Sequence, residues 1–442
     1  MALLSLPVTA AAPAHASQVT AAAESAAPAQ ANLDATARKD VIAKLSQALR
    51  NRYVFPDVGE RAAARIEAVE ASGAYDQLTK PSDLATRLAS DVNAIAHDKH
   101  LSVWSTIAPP RPPDGMAEPP PKSEAGVTRA DRIGGDIGYI EVTGFPPPQF
   151  FKRVVDAAMI ELKNSKSLII DIRRNGGGSP EAVAYFVSFF TAEGTPINTI
   201  VSRTENSSEF TRQDFSSVST PIKFLSIPVA VLTSSRTFSG GEEFAYDIKA
   251  LKRGTLIGEV TGGGANPTGY VDLGHGMGVS IPFGRAENPI TKTNWEGTGV
   301  QPDVSVPARE ALATALKRVG QKPVMDINVA SDQRLFAPRT APLAGSEPAL
   351  RKLLTGLASG KPDYSQLSPE LAATTREQLP ALRGQLAPLG TLNLLKFRGP
   401  DMLGGDEYIL EFSKGRRMMA FIPTPDGKVS AISGILPAPD GE

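Results

Sequence analysis

The segment TSSRTFSGGEEFAYDIK, residues 233–249, follows the apolar run IPVAVLT (227–233), and the reading of that junction decides the fold. The run has the length and branched side chains of a buried strand, while Phe244, Ile248 and Leu251 recur at helical spacing. Ser239 therefore falls on a strand-to-helix turn. A hydroxyl there stands beside backbone amides that no helical carbonyl satisfies, and the helix dipole adds to their preference for negative charge. Gly240 and Gly241 leave room for a substrate to approach. A nucleophile can use all of this. The same residues also fit S-x-x-E, with Ser239 and Glu242 forming a capping box in which the serine only satisfies the amide three residues on. The segment by itself leaves both readings open.

Working outward, the chain alternates strand and helix patterns. A strand IGYIEVTGF (137–145) precedes a helix over about 148–163, a strand SLIIDIR (167–173), a glycine turn and a helix over 180–190. Near-continuous apolar strands in this rhythm predict a parallel or mixed sheet covered on both faces. GYVDLG (269–274) and MGVSIPFGRA (277–286) flank Gly274-His275-Gly276, which reads as a hairpin turn. WEGTGVQPDVSV (295–306) then leads into a last helix near 308–319.

Ahead of this core, three helical patterns are expected. The first runs from Asp34 to about Arg52 with Val41, Leu45 and Leu49 inward. The second covers 58–72 with Ala62, Ile66 and Val69 inward. The third is capped by Ser82 or Asp83 and carries Leu84, Leu88, Val92 and Ile95. They predict a small helical bundle ending at HDKHLSVW (97–104). The expected division is a leader over 1–16, a tether over 17–33, a helical domain over 34–106 and a proline-rich linker over 107–123. An α/β core over 124–322, a linker over 323–345 and an accessory α+β domain over 346–442 complete it.

With 442 residues the chain can hold several cores, and a formal charge of −1 offers no basic footprint for nucleic acid. The absence of cysteine excludes disulfides, thiolate metal sites and a cysteine nucleophile. The first residues, MALLSLPVTAAAPAHASQ, combine an apolar stretch with Ala14-His15-Ala16, a small-x-small pattern that signal peptidase reads, so export to a periplasmic or extracellular space is expected. No later run is apolar enough to span a membrane.

Other pieces of chemistry stand apart in sequence. DIRRNGGGSPEAV (171–183) ends a buried strand in three glycines followed by a Ser179 cap and a proline at the first helical position. Its amides could bind an oxyanion, or it could be a tight turn only. It lacks the glycine spacing of a nucleotide loop. Asp171 is expected to fix the local turn. Of the four histidines, His15 would leave with the leader, and His97, His100 and His275 remain as candidate bases. His97 and His100 lack further ligands at zinc spacing. Glu296, in a glycine-bounded loop, could orient an imidazole or simply be solvated.

DIRRNGGG, S-x-x-E-x-x-A-Y-D, GEVTGGG (258–264) and EGTGVQPDV (296–304), in that order, resemble the tail-specific, or C-terminal processing, serine peptidases, the clan that includes tricorn and interphotoreceptor retinoid-binding protein. The resemblance covers residues 34 to about 320. It implies a mixed α/β sheet core of the ClpP/crotonase-like type, with Ser239 as nucleophile and with Gly240, Gly176 and Gly177 as oxyanion donors. The processing peptidases take their general base from a lysine in a G-K-G turn, and here Gly262-Gly263-Gly264 stands in that place. The tricorn-like branch instead takes it from a D-x-H motif, which Asp98-Lys99-His100 fits, and has a glutamate near the position of Glu296. No insert resembling a PDZ domain follows the bundle. The resemblance thus implies a Ser239–His100–Glu296 arrangement, with no cofactor or metal, acting on polypeptides or oligopeptides. A carrier of a hydrophobic ligand on the same scaffold, or an esterase, is the alternative.

Overall fold

The computed structural model describes residues 32–105, 126–133, 136–319, 339–400, 405–423, 428–432 and 436–437. The expected leader, almost all of the tether, the proline-rich linker and much of the later linker lie outside these residues. Three helices open the described chain: α1 (Ala35–Arg52), α2 (Pro56–Ala71) and α3 (Pro81–Ala96). Asp34 caps α1 by accepting the Ala37 amide at 2.8 Å. The helix α3 starts before the expected Ser82 or Asp83 cap, because Pro81 takes the first helical position, where its missing N–H costs nothing.

The apolar faces of α1 to α3 are buried as their spacing requires, with Val41, Leu45, Leu49, Ile66, Leu84 and Leu88 fully enclosed. Their core is not closed by helices alone. Strand β1 (Ser102–Ser105) pairs with a hairpin from much later in the chain, and Leu273, Met277, Val279 and Ile281 of that hairpin share the helices' core.

The central sheet is built next. It uses β2 (Val127–Ile133), β3 (Ile137–Val142) and, after α4 (Pro148–Glu161), β4 (Ser167–Asp171). Helix α5 (Pro180–Val187) and strands β5 (Pro196–Arg203) and β6 (Phe210–Ser216) precede β7 (Val229–Thr233), α6 (Gly240–Ala250) and β8 (Thr255–Gly258). The hairpin β9 (Thr268–Gly274) and β10 (Met277–Pro282) follows, then β11 (Gly284–Glu287), β12 (Val304–Ser305) and α7 (Ala308–Arg318).

The six-stranded sheet has the order β12-β8-β7-β4-β3-β2, parallel except for the antiparallel edge strand β2. Alternate side chains divide between its faces. Leu168, Ile170 and Val231 join the core with Phe151, Phe186 and Phe244 of α4, α5 and α6, whereas Ile169 and Leu232 pack on Leu312 and Leu316 of α7. Both faces are thereby covered, as continuous apolar strands demand.

Strands β2, β5, β6 and β8 carry too little apolar alternation to show in the sequence; β6, for example, is almost wholly exposed. The single run MGVSIPFGRA divides at Phe283, with β10 pairing to β1 and β9 and β11 joining β5 in a separate three-stranded sheet with β6. Asp171 serves its turn as expected. It accepts the Tyr139 hydroxyl at 2.7 Å, the Arg173 amide at 3.0 Å and the Arg173 guanidinium, which also donates to Ala308 O. A C-terminal α+β unit follows, with α8 (Ser346–Ser359), α9 (Pro369–Leu386) and antiparallel strands β13 (Leu392–Pro400), β14 (Asp406–Phe412), β15 (Gly415–Pro423) and β16 (Val429–Ile432). Leu350, Leu357, Tyr408 and Phe421 belong to its own core. No helix among the described residues is long and apolar enough to cross a membrane.

Candidate active site

Strands β4 and β7 are parallel neighbours, so the turns that leave their carboxyl ends lie side by side, where ligands meet open α/β sheets. The first turn is Gly176-Gly177-Gly178 and the second carries Ser239. Gly177 has φ +108°, and a Cβ there would stand 2.7 Å from Ser239 Cβ and 3.1 Å from its Oγ. Only glycine fits between the two turns. Gly178, with φ +139°, bridges to Phe145 after β3.

Ser239 adopts φ 53°, ψ −123°. A residue that only caps a helix takes the extended region, and a side chain held here costs about 1–3 kcal/mol, so the neighbours must over-determine it. They do. The Phe238 amide donates to Asn175 O, the Gly241 amide to Phe238 O and the Glu243 amide to Ser239 O, each at 2.9 Å. The Ser239 amide donates to Glu242 Oε2 at 2.9 Å.

Glu242 does more than the capping pattern suggested. It is fully buried, and besides Ser239 it accepts Thr261 Oγ1 at 2.5 Å, the Gly263 amide at 2.6 Å and the Gly264 amide at 2.8 Å. One carboxyl thus joins the serine turn to the glycine loop after β8. Burial pushes its pKa up, against these donors, which favour the charged form. Its only sequence signal was its place three residues after Ser239.

His100 enters from the other core. Asp98 is buried, its Oδ1 accepting the His100 amide at 2.9 Å and its Oδ2 accepting Tyr53 Oη at 3.1 Å and Asn266 Nδ2 at 2.9 Å. The middle residue of the motif is used as well, since Lys99 Nζ donates to Gly262 O at 2.5 Å. The imidazole packs on the ring of Phe238, the neighbour of Ser239, with centroids 4.6 Å apart. Among the described residues neither His100 Nδ1 nor Nε2 has a hydrogen-bond partner, and both are buried.

Glu296 comes to the same place. Its Oε2 accepts the Ala265 amide at 2.5 Å, while its buried Oε1 has no partner among the described residues. Side-chain atoms of Asp98, His100 and Glu296 lie within 4.8 Å of one another. Burial lowers the pKa of His100 below 6.5, with Asp98 pulling the other way. Glu296 is pushed up to about 7, chiefly by burial, with Asp98 and Glu242 adding to the rise and the Ala265 amide opposing it.

His97 is the exposed left-handed cap of α3, and His275, on the hairpin turn, meets Asp40 at 2.9 Å. Neither is among the residues around Ser239. The Gly177 amide donates to Asn175 Oδ1 at 2.8 Å and is not free for the oxyanion role the motif suggested, because Asn175 folds back over its own turn. The amides of Gly178 and Gly240 have no acceptor among the described residues, and a Cβ on Gly240 would stand 3.1 Å from Gly178 N. A cavity of about 430 Å³ opens on Ser239, His100, Gly178 and Gly240 together.

The glycine loop is also a steric device. A Cβ on Gly264 would stand 2.4 Å from Phe238 Cζ and 2.5 Å from His100 Cε1. Gly264→Ala should therefore displace the imidazole and lower kcat/KM on any turned-over substrate by about a hundredfold, the scale of a one-ångström misplacement, with the far-ultraviolet circular dichroism spectrum unchanged. A loss below threefold would show that the ring has slack.

Comparison with known proteins gives a consistent result. Residues 136–306 match the family model of peptidase family S41, and residues 27–129 match that of the N-terminal domain of Peptidase S41 in eukaryotic IRBP. The chain is 30% identical over 174 residues to the chloroplastic carboxyl-terminal-processing peptidase 2 of Arabidopsis thaliana, covering 39% of this chain and 32% of the relative. It is also 30% identical over 137 residues to the tricorn protease of Thermoplasma volcanium, covering 30% of this chain and 12% of that one. The chain spans about a third of the length of the processing peptidases it matches. Among solved structures, the photosystem II D1 C-terminal processing protease aligns with a TM-score of 0.41 at 16% identity, over 62% of this chain and 94% of that one. One match carries the D-x-H segment and the other carries Ser239, the glycine turns and Glu296, so the chain belongs to peptidase family S41.

Proposed function

We propose that this protein is a serine peptidase that hydrolyses peptide bonds in polypeptides or oligopeptides. Ser239 Oγ attacks the scissile carbonyl and His100 takes its proton. The carboxylate of Glu296 stabilises the imidazolium, and the amides of Gly178 and Gly240 receive the oxyanion. His100 then returns the proton to the leaving amine, and water repeats the sequence to release the acyl group. The observation that carries this reading is a backbone-strained serine opening on the same cavity as an imidazole whose buried nitrogens have no partner among the described residues. A carrier of an apolar ligand has no use for that strain.

A fluorophosphonate probe should label the wild-type protein and not Ser239→Ala, and a peptide panel set against an ester panel separates peptidase from esterase. Labelling of neither protein, with both panels intact, would sink the reading. The pH profile provides a sharper test. Catalysis requires neutral His100 and ionised Glu296. Burial keeps His100 neutral above its lowered pKa, so the higher value, that of Glu296 at about 7, sets the acid limb of kcat/KM. On a peptide without a basic side chain beside the scissile bond, activity should rise with pH through about 7. In Glu296→Gln the limb should move to lower pH, toward the histidine alone, with lower maximal turnover. A limb that stays in place would remove Glu296 from the mechanism.

We also propose export, supported by the pattern of residues 1–18 and the absence of cysteine. N-terminal sequencing of the mature protein should find a start just after Ala16, and an intact N-terminus on cytosolic material would contradict it.

A further inference from the structure

The cavity beside Ser239 contains an ionisable group that the reaction does not use. Its walls are mostly apolar, with Ile200 of β5, Phe215 of β6, Phe283, Ala286 and Trp295. Two carboxyl groups interrupt them. Glu243, on the first turn of α6, lines the cavity while only 4% exposed, and its Oε1 is buried without a hydrogen-bond partner among the described residues. Glu181, near the start of α5, lines the same cavity from an exposed position. Among the described residues, no lysine or arginine lines it.

A buried carboxyl with one oxygen unpaired among the described residues is expensive, and apolar side chains of similar size would fill this wall at lower cost. Burial accordingly pushes Glu243 up to about 8, against the Asn198 side chain, with Glu181 adding to the rise. The arrangement makes sense if its partner arrives with the substrate. A long aliphatic stem would lie along Ile200, Phe215 and Trp295, and a cationic head would meet the acids, the amphipathic form of lysine and arginine. A buried carboxylate in an apolar slot selects basic side chains in trypsin by the same physics. The volume of about 430 Å³ is ample for one such side chain.

We propose that this cavity is a specificity pocket for a basic side chain next to the scissile bond, with Glu243 in its wall and Glu181 at its edge receiving the ammonium or guanidinium. The proposal rests on the peptidase reading for its position in the substrate, but binding of the cation can be measured without turnover.

The test therefore has two arms. In the first, matched fluorogenic peptides differ only in arginine, lysine, leucine or glutamate before the scissile bond. The wild-type protein should favour arginine and lysine over leucine by at least tenfold in kcat/KM, and Glu243→Gln should lower the arginine-to-leucine ratio at least tenfold, with Glu181→Gln lowering it less. In the second arm, p-aminobenzamidine fluorescence is titrated into Ser239→Ala protein, which should bind it, whereas Ser239→Ala/Glu243→Gln should bind at least tenfold more weakly. Thermal unfolding of each variant shows that it is folded, and the exposed Glu181→Gln substitution keeps the test open should Glu243→Gln misfold. Preference of the wild-type protein for leucine, or an unchanged ratio in both variants, would overturn the pocket while leaving the peptidase intact. Loss of all cleavage with retained amidine binding would overturn the peptidase reading and leave the pocket standing.

Discussion

Ser239→Ala should lower kcat/KM on cleaved peptides by about 10⁴-fold or more while leaving the protein folded. In serine hydrolases, loss of the nucleophile alone costs nearly as much as loss of the whole catalytic set, because the other groups act only through it. The variant's stability is informative too. The turn that holds φ 53°, ψ −123° survives, since its hydrogen bonds come from the backbone and from Glu242, and neither depends on Oγ. Ser239→Gly, which can adopt that conformation without strain, should be as inactive as alanine and more stable by up to about 1–3 kcal/mol. Progress curves over hours, with the wild-type protein as reference, measure the first effect and thermal unfolding the second. Residual turnover above a hundredth of wild type would place the nucleophile elsewhere.

Glu242→Ala should have the largest effect on stability. It strands the amides of Ser239, Gly263 and Gly264 and the hydroxyl of Thr261 in a buried place, and each unpaired donor costs about 1–3 kcal/mol. The costs are not additive, since the loop can relax, and a total of about 3–5 kcal/mol is expected. Glu242→Gln should also destabilise, because the amide nitrogen would face donors rather than acceptors. Both variants should lose activity beyond any loss of folded protein, because the loop that Glu242 anchors contains Gly264, on which the His100 ring rests. A melting temperature within about 2 °C of wild type for both would show that the junction is held by something else. For a chain of this size that shift corresponds to about 2 kcal/mol or less, below the expected loss.

The two variants probe groups of different visibility. Ser239 announced itself in the sequence, because a buried apolar run followed by S-x-x-E and helical periodicity can only be a strand-to-helix turn. The parallel sheet was legible for the same reason, its strands β3, β4 and β7 being apolar throughout. The edge strand β2 and the exposed β6 were not, since both are rich in polar side chains and leave no periodic apolar mark.

The sequence by itself determined the apolar periodicities, the turn at Ser239, the glycine turn and the order of four motifs, all set by contacts within a few residues. It named His100 and Glu296 as candidates but held no measure of how they meet. Tertiary structure decided that, by pairing β1 with a hairpin some 170 residues later, by burying Asp98 beneath Tyr53 and Asn266, and by letting Glu242 tie two loops together. It also moved the free amide from Gly177 to Gly178 and set Glu243 in the cavity wall. The physical reason is that a buried polar group takes its partner from whatever the packing brings near, and those partners are distant in the chain.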